Sequence, residues 1–349
     1  MTVLTRRDWL QLSAAALTAA ALPLRLRAQG RTLKMLLNSG YSGANAFFTL
    51  AQDKGYLQEA GIELTFTPGV GAYTAAARMM AEGFDVGYGD VNALIELVSR
   101  EPEKSPVAVY MVFNSTPSTL VVKADGPLQL PYDLLGKRMV GHKTDVALNT
   151  FGVYAAHARI DPDDLTIDTS DAGMGALLKD LMAGKSDGVF GYVTTIRAAA
   201  TAEKIDPDKQ LRFFKYEDLM TEFYGSTVMV SRRLAAESPQ VVRGLLRAFT
   251  RGLKDAILQP EAAIDSVAKR DPKIDRAIER ARLQNTLDGE MAHPEGQRLG
   301  IGEVDPGRLA ADIVQMVEVR KLTRVPGILE VFNSDFLPPI NERITSLGR

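Results

Sequence analysis

Small polar side chains and tyrosines follow several short apolar stretches of this 349-residue sequence. Hydroxyl, amide and charged side chains can hydrogen-bond to a ligand, and a tyrosine ring can stack on a planar one. Acids and histidines do not cluster in these stretches, so the pattern favours reversible binding. The candidate ligand-binding residues are Ser39, Gly40, Tyr41, Asn45, Asp90, Asn114, Thr116, Lys143, Thr144, Tyr192, Glu222 and Tyr224.

Five of these candidates have a specific expected role. Asp90 can accept from a ligand amine or ring N–H, or can simply cap the helix that follows it. Asn45 has the same two alternatives. Tyr41 and Tyr192 are candidates for stacking. Lys143 is the best candidate to hold a ligand carboxylate or sulfonate, because it opens a helix and helix N-termini favour anions.

Composition argues against several kinds of chemistry. The chain has no cysteine, which excludes disulfides, thiolate catalysis and cysteine-based metal sites. Its histidines, His142, His157 and His293, are too far apart for a helix-spaced metal pair. No pairing of a nucleophile with a base is visible. A net charge of −2 without a long basic block disfavours nucleic acid as a partner. We therefore predict no catalysis, no metal and no cofactor.

The elements that must position the candidates alternate between strand and helix. Segments 31–40, 62–69, 84–90 and 107–114 have strand patterns, and segments 44–61, 72–83 and 91–100 between them have helical patterns. Such alternation predicts an α/β fold with a mostly parallel sheet that helices cover on both faces. In such sheets ligands lie beyond the carboxyl ends of the strands, where most of the candidates are found.

The alternation is interrupted by a Gly/Pro-rich passage and then starts again, which predicts two lobes. We place the first crossing near residues 122–126, and we expect the strand within 224–231 to return to the first lobe. The expected boundaries are 29–123 plus 226–349 for lobe 1 and 124–225 for lobe 2. Glu222 and Tyr224 then lie at the second crossing, and the C-terminal third is helical.

The N-terminal residues 1–28 have the pattern of an export signal. A short Ala/Leu-rich run follows Arg6 and Arg7 and is too short to span a bilayer. Residues 5–10, TRRDWL, resemble a twin-arginine export signal, with Trp9 where Phe is usual. The alternative is an ordinary secretory signal. Either one predicts a soluble protein of the bacterial periplasm.

Five segments carry a family resemblance. The segments are AQDKGYLQEAGIELTF (51–66), EGFDVGYGD (82–90), DLLGKRMV (133–140), LMAGKSDGVFGY (181–192) and the passage 224–264 from YGSTVMVS to QPEAAI. Together they resemble the solute-binding proteins of nitrate, sulfonate, taurine and thiamine-pyrimidine importers. The resemblance covers residues 31 to 265 and is less clear beyond them.

The resemblance implies a two-lobe periplasmic-binding-protein fold of type II, a Venus flytrap with a hinge. It implies a monomer that closes on a small molecule and docks on an ABC permease with its ATPase. Some eukaryotic relatives make the thiamine pyrimidine with an active-site histidine and a cysteine-rich segment. This chain has Asn45 at the apparent histidine position and no cysteine, so it is not expected to be an enzyme.

The expected ligand is a planar aromatic or heteroaromatic molecule, with room for one acidic group. The basis is Tyr41, Phe47, Tyr88 and Tyr192 near strand ends, with Lys143 as the one evident cleft cation. The alternatives are an alkyl sulfonate such as taurine, or nitrate, although no arginine is visible in the strand-end loops. A further alternative is a ligand-sensing partner of a periplasmic receptor.

Overall fold

The computed structural model describes residues 30–347, and the export signal expected in residues 1–28 lies outside this range. Two five-stranded sheets organise the chain. The first has the strand order β2-β1-β3-β10-β4, with β10 antiparallel to both neighbours. Its strands are β1 Arg31–Leu36, β2 Ile62–Thr67, β3 Val86–Asp90, β4 Val107–Met111 and β10 Ser226–Val230. Parallel β1, β2 and β3 bring their carboxyl ends to one edge, as predicted.

The second sheet repeats this pattern with the order β7-β6-β8-β5-β9. Here β6, β7 and β8 are parallel, and β5 is antiparallel to β8. Its strands are β5 Ser118–Lys123, β6 Arg138–His142, β7 Thr166–Ser170, β8 Gly188–Tyr192 and β9 Leu211–Lys215. The structure therefore has the two-lobe α/β architecture that the sequence predicts.

The first crossing between the lobes lies earlier than the expected boundary at residues 123/124. Strand β5, which we placed in lobe 1, pairs with β8 and β9 in the second sheet. The crossing is therefore residues 112–117, between β4 and β5. Residues Leu120, Val121 and Val122 are fully buried, because β5 lies in the interior of the second sheet. The return segment ends at β10 in the first sheet, where we expected it.

Helices connect the strands and cover both sheets. The helices up to β10 are α1 Ala46–Asp53, α2 Tyr56–Glu59, α3 Ala75–Glu82, α4 Val91–Arg100, α5 Val146–Ala158, α6 Met174–Met182 and α7 Val193–Ala202. Those after β10 are α8 Arg232–Glu237, α9 Pro239–Leu258, α10 Pro260–Arg270, α11 Arg276–Asn285, α12 Pro294–Leu299, α13 Pro306–Arg320 and α14 Ile328–Val331. None of the helices within residues 30–347 combines the length and the apolarity needed to cross a membrane.

The longest of these helices, α9, packs against the first helix of lobe 1. The Phe249 ring meets the Phe48 ring edge-on, with centroids 4.6 Å apart. At Gly252 a Cβ would overlap the main-chain oxygen of Phe47, so this glycine permits the close approach of the two helices. The C-terminal part of the chain is thus anchored to lobe 1.

The C-terminal helices also touch lobe 2, although we assigned residues 226–349 to lobe 1. On α11, Glu279 Oε2 accepts from the Gly43 main-chain N–H of lobe 1 at 2.6 Å. One turn further, Arg282 Nη2 donates to Thr195 Oγ1 of lobe 2 at 2.9 Å. Sequence pattern identifies these segments as helices but does not show that they bridge two lobes.

Candidate functional site

A cavity of about 430 Å³ lies between the carboxyl ends of the two sheets. Lobe 1 lines it with residues 38–42, Ala44 and residues 70–72, which follow β1 and β2. Lobe 2 lines it with the start of α6 and with residues at the carboxyl ends of β6 and β8, namely His142, Thr144, Asp145, Val146, Tyr192, Thr194 and Thr195. This is the position at which doubly wound sheets bind ligands.

Five of the predicted residues line this cavity: Ser39, Gly40, Tyr41, Thr144 and Tyr192. They come from both lobes, so a ligand in the cavity would touch both. The walls are mainly apolar, with Phe113, Met174 and Leu177 among the lining residues. An apolar cavity with a few polar groups is typical of small-molecule sites.

Two predicted residues support the cavity without lining it. Asn45 is buried and closes the turn ahead of α1: its side-chain N–H donates to Gly40 O at 3.0 Å, and Oδ1 accepts from Ser42 N at 3.0 Å. Asp90 is buried at the N-cap of α4, where Oδ1 accepts from the Asn92 main-chain N–H at 2.9 Å. Asp90 thus makes the capping contact that we gave as the alternative to a ligand contact, whereas the Asn45 side chain holds the preceding turn and makes no cap bond to α1.

The remaining predicted residues lie away from this cavity. The Tyr224 hydroxyl donates to the Glu295 carboxylate at 2.8 Å, and Asn114 Nδ2 lies 3.3 Å from the same group. This buried network also contains Arg308, which pairs with Glu295 at 3.3 Å. Thr116 lines a separate cavity of about 260 Å³.

Lys143 and Glu222 also lie outside the lining of the main cavity. The Lys143 ammonium pairs with Asp171 at 2.8 Å, and its side chain is 62 % exposed. Glu222 Oε2 accepts from the neighbouring Thr221 hydroxyl at 2.9 Å. Ligand contact by these two residues stays a prediction.

Of the four aromatic residues on which the expected ligand class was based, two line the cavity and two lie in the core. Tyr41 and Tyr192 line the cavity. Phe47 and Tyr88 are buried in the core of lobe 1, where both rings pack near Phe48. Stacking on a ligand is therefore available to the first pair.

A hydrogen bond joins the lobes beside the cavity. The Tyr192 hydroxyl of lobe 2 donates to Asp90 Oδ2 of lobe 1 at 3.1 Å. Burial raises the pKa of Asp90 to about 7, against the opposing effect of its hydrogen bonds with Asn92 and Tyr192. Burial also raises the pKa of Tyr192 well above its usual value, and the Asp90 charge adds to this. The pair thus consists of a neutral phenol and a carboxyl group that titrates near neutral pH.

A second contact between the lobes closes one side of the cavity. The Thr144 hydroxyl donates to the main-chain oxygen of Val70 at 2.7 Å. The neighbouring Gly71 has φ +143°, and a Cβ there would overlap the Thr144 side chain. Glycine at this position therefore allows the two lobes to approach each other. The Gly69-Val70-Gly71 turn therefore presents the Val70 main-chain oxygen to the Thr144 hydroxyl.

Two charged residues of the cavity were not singled out from the sequence. Arg282 lines it from α11, and Asp145 lines it from the N-cap of α5. Asp145 Oδ1 accepts from Leu148 N at 3.2 Å, and burial raises the pKa of its carboxyl to about 6. Asp145 could have been found, since it follows a strand end directly. No local signal marks Arg282, which lies in a helix with two further arginines, Arg276 and Arg280.

Two α/β lobes, joined by crossings and holding a ligand-sized cavity between strand ends, define a two-lobe binding-protein fold. Within residues 30–347, no group of three or more histidine, cysteine or acidic residues is placed to hold a metal ion.

Comparison with known proteins identifies the family. Residues 44–263 match the profile of the family described as NMT1/THI5 like. The match covers more than half of the 349 residues, so the chain belongs to the NMT1/THI5-like family.

Three relatives illustrate the class. The riboflavin-binding protein RibY of Chloroflexus aurantiacus is 24 % identical over 336 residues, which are 93 % of this chain and 91 % of that protein. The aliphatic sulphonate binding protein SsuA from Escherichia coli has a TM-score of 0.65 at 15 % identity, over 85 % of this chain and 96 % of that one. A ligand binding component of an ABC-type import system from Staphylococcus aureus has a TM-score of 0.65 at 10 % identity, over 90 % and 100 %. Each of these three proteins is named as a binding protein or a ligand binding component, and the two solved structures share the fold of this chain.

Proposed function

We propose that this protein is the solute-binding component of an ABC importer. It captures a planar aromatic or heteroaromatic molecule between its lobes and delivers it to a membrane permease with its ATPase. It works in the periplasm, after export through a signal in residues 1–28. The family, the fold and the ligand-sized cavity support the binding role.

The observation that carries the ligand class is the pair of tyrosines in the cavity. Tyr41 comes from lobe 1 and Tyr192 from lobe 2, and Phe113 adds a third aromatic side chain to the lining. Rings that stack on a ligand gain both buried apolar area and favourable ring geometry. The riboflavin-binding relative is consistent with this class, since riboflavin carries a flat heteroaromatic ring.

The contacts between the lobes explain how binding would favour closure. Thr144 bonds to Val70 and Tyr192 bonds to Asp90 in the structure. A ligand that touches both lobes binds the closed form better than the open form, and it can shift the equilibrium only by that difference in affinity. Hinge closure of this kind requires no covalent step.

A ligand without a ring is the second candidate. One structural relative binds aliphatic sulphonates, and the cavity contains an arginine, Arg282. The lack of an arginine in the strand-end loops therefore no longer argues against an anionic ligand. An alkyl sulfonate, taurine or nitrate is thus the alternative outcome of the test.

The test is thermal unfolding of the purified protein against a panel of small molecules. The panel contains pyrimidines, flavins, aromatic carboxylates, taurine, alkyl sulfonates and nitrate. A ligand at about 100 times its dissociation constant adds roughly 2.7 kcal/mol of stability, which is a visible shift. A hit among the planar compounds supports the proposal. A hit restricted to sulfonates or nitrate contradicts the ligand class and retains the binding role.

Variants of Tyr192 separate the ring from the hydroxyl. Tyr192→Phe keeps the ring and loses the bond to Asp90, and Tyr192→Leu loses both. Stacking predicts that a planar ligand is bound much more weakly by Tyr192→Leu than by Tyr192→Phe. The control is Tyr132→Leu, because Tyr132 is 67 % exposed and lies outside the cavity lining. Equal affinities in Tyr192→Phe and Tyr192→Leu would contradict stacking on this ring.

A further inference from the structure

Arg282 differs in position from the cation that sequence analysis favoured. Lys143 is held by Asp171 at 2.8 Å on the exposed surface, whereas Arg282 lines the cavity with a side chain that is 16 % exposed. Arg282 is contributed by α11, which belongs to neither set of strand-end loops. The cavity lining therefore contains a cationic residue that does not belong to the strand-end loops.

The guanidinium of Arg282 retains unused hydrogen-bonding capacity. An arginine has five N–H donors in a planar fork. Within residues 30–347, Thr195 Oγ1 accepts from Nη2 at 2.9 Å, and this is the single hydrogen bond that the guanidinium makes. The nearest carboxylate in an ion pair is that of Glu279, whose Oε1 is 3.8 Å from Nη1. That distance exceeds a hydrogen bond, and Glu279 already accepts from Gly43 N.

The polar groups near Arg282 also favour a negatively charged guest. Helix α7, which bears Thr195 in its first turn, has no side-chain cap at its N-terminus. Helix α6 begins after Gly173, which has no side chain to cap it, and Gly173 and Met174 line the cavity. Helix N-termini carry a partial positive charge that attracts anions, although Val193 N at the start of α7 already donates to Pro117 O.

Acidic groups around the cavity set where the anion can lie. Asp145 lines the cavity but accepts from Leu148 N at its own helix end. The Glu290 carboxyl is buried and accepts from the Thr194 hydroxyl at 2.8 Å. It also interacts electrostatically with Arg282. An anion is therefore expected beside Arg282 on the α6 side, away from Glu290, and a ligand N–H is expected toward Asp145.

We propose that Arg282 anchors an anionic group of the ligand, so that the transported molecule is a planar ring system carrying one carboxylate, sulfonate or phosphate. This inference rests on the proposed function and specifies its substrate class. Arg282 acts as a specificity-determining residue: its charge distinguishes an acidic ligand from a neutral molecule of the same shape.

The experiment measures dissociation constants for matched probe pairs by calorimetry. Each pair shares one ring system and differs in a single group: riboflavin with its 5′-phosphate, and planar aromatic carboxylates with their carboxamides. The proteins are the wild type, Arg282→Gln and Arg282→Lys. Arg280→Gln is the control, because Arg280 lies on the same helix but outside the cavity lining, where it pairs with Glu261 at 3.1 Å.

The wild type is expected to prefer the anionic member of each pair that binds. Arg282→Gln should weaken binding of the anionic member by roughly 10- to 100-fold, as expected for loss of a charged hydrogen bond, and should leave the neutral member almost unchanged. Arg282→Lys should recover part of the preference. Arg280→Gln should bind both members as the wild type does.

Four outcomes would overturn all or part of the inference. Planar probes that bind without any charge preference would contradict the role of Arg282 and retain the proposed function. Equal weakening of both members in Arg282→Gln would show that Arg282 only braces Thr195. Binding of a ring-free sulfonate that is lost in Arg282→Gln would retain the anchor and contradict the planar ligand. No binding by any probe would contradict both proposals.

Discussion

Replacing Asp90 by asparagine should stabilise the protein at neutral pH, and the gain should disappear in acid. Asp90 is fully buried, and its Oδ1 and Oδ2 accept from Asn92 N at 2.9 Å and from the Tyr192 hydroxyl at 3.1 Å. Asparagine has nearly the same shape. Its Oδ1 can accept from Asn92, and its Nδ2 can donate to the Tyr192 oxygen. Both contacts then survive without a charge.

The direction of the stability change follows from the pKa of Asp90, which burial raises from 3.8 in a model peptide to about 7. Between these values the folded protein holds a proton that the unfolded chain has already released. The free energy of unfolding therefore falls as the pH rises through this window. A shift of this size corresponds to about 4 kcal/mol at most. We expect Asp90→Asn to exceed the wild type by up to about 4 kcal/mol near pH 8 and to equal it near pH 4.

The assay is urea unfolding followed by far-UV circular dichroism across this pH range. The single tryptophan of the chain is Trp9, outside the described residues, so fluorescence is a poor probe. The control is Asp133→Asn, because Asp133 accepts from Leu130 N and Gln129 N at 2.8 Å and these bonds lower its pKa. Its carboxylate stabilises the fold above the unfolded pKa, and this contribution is lost as the pH falls. Asp133→Asn should therefore be the less stable protein at neutral pH.

Either of two results would refute the reasoning about Asp90. If Asp90→Asn is less stable than the wild type near pH 8, the ionised carboxylate is favoured by the folded protein. A difference that does not change with pH would refute it as well, since the argument depends on a proton held by the folded state.

Further predictions concern contacts within and between the lobes. Gly43→Ala should destabilise the protein by about 1–3 kcal/mol, because a Cβ there overlaps the main chain of α11; Gly40→Ala, with no atom within 4 Å of its Cβ, is the matched control in urea unfolding. Thr144→Val loses the 2.7 Å bond to Val70, about 1 kcal/mol, and distance measurements between labels on the two lobes should show a larger open population. Phe190→Ala in the core of lobe 2, where Phe190 is fully buried, should cost about 3–5 kcal/mol in urea unfolding.

Periodicity predicted much of the fold because it reports which faces of an element are buried. Ile62 and Leu64 are buried and Glu63 is exposed, as the alternation of β2 indicates. The serine and proline at residues 238 and 239 mark the start of α9 at Pro239. We assigned β5 to the wrong lobe because a buried strand has the same sequence pattern in either sheet. Pairing between distant strands decides the sheet to which it belongs.

The candidate site was predicted in part for a similar reason. The α/β pattern indicates that strand-end loops meet at one edge, and Tyr41 and Tyr192 do line the cavity there. The α/β pattern does not indicate how deeply each side chain is buried. Tyr224 and Asn114 also follow or precede strands, yet their polar groups bond with the buried Glu295. Residue type alone cannot distinguish a hydroxyl that faces a cavity from one that satisfies a buried carboxylate.

The geometry of α11 connects the hinge with the charge in the cavity. Gly43 leaves no room for a Cβ against the main chain of Glu279, so α11 packs tightly on lobe 1. It also packs against α7 of lobe 2, where Arg282 Nη2 donates to Thr195 Oγ1 at 2.9 Å. Helix α11 therefore joins the two lobes next to the point where Arg282 lines the cavity. A ligand whose anion is held by Arg282 at this junction, and whose ring stacks on Tyr41 of lobe 1 and Tyr192 of lobe 2, would touch both lobes. It would favour the closed form by the difference in its affinity for the two forms.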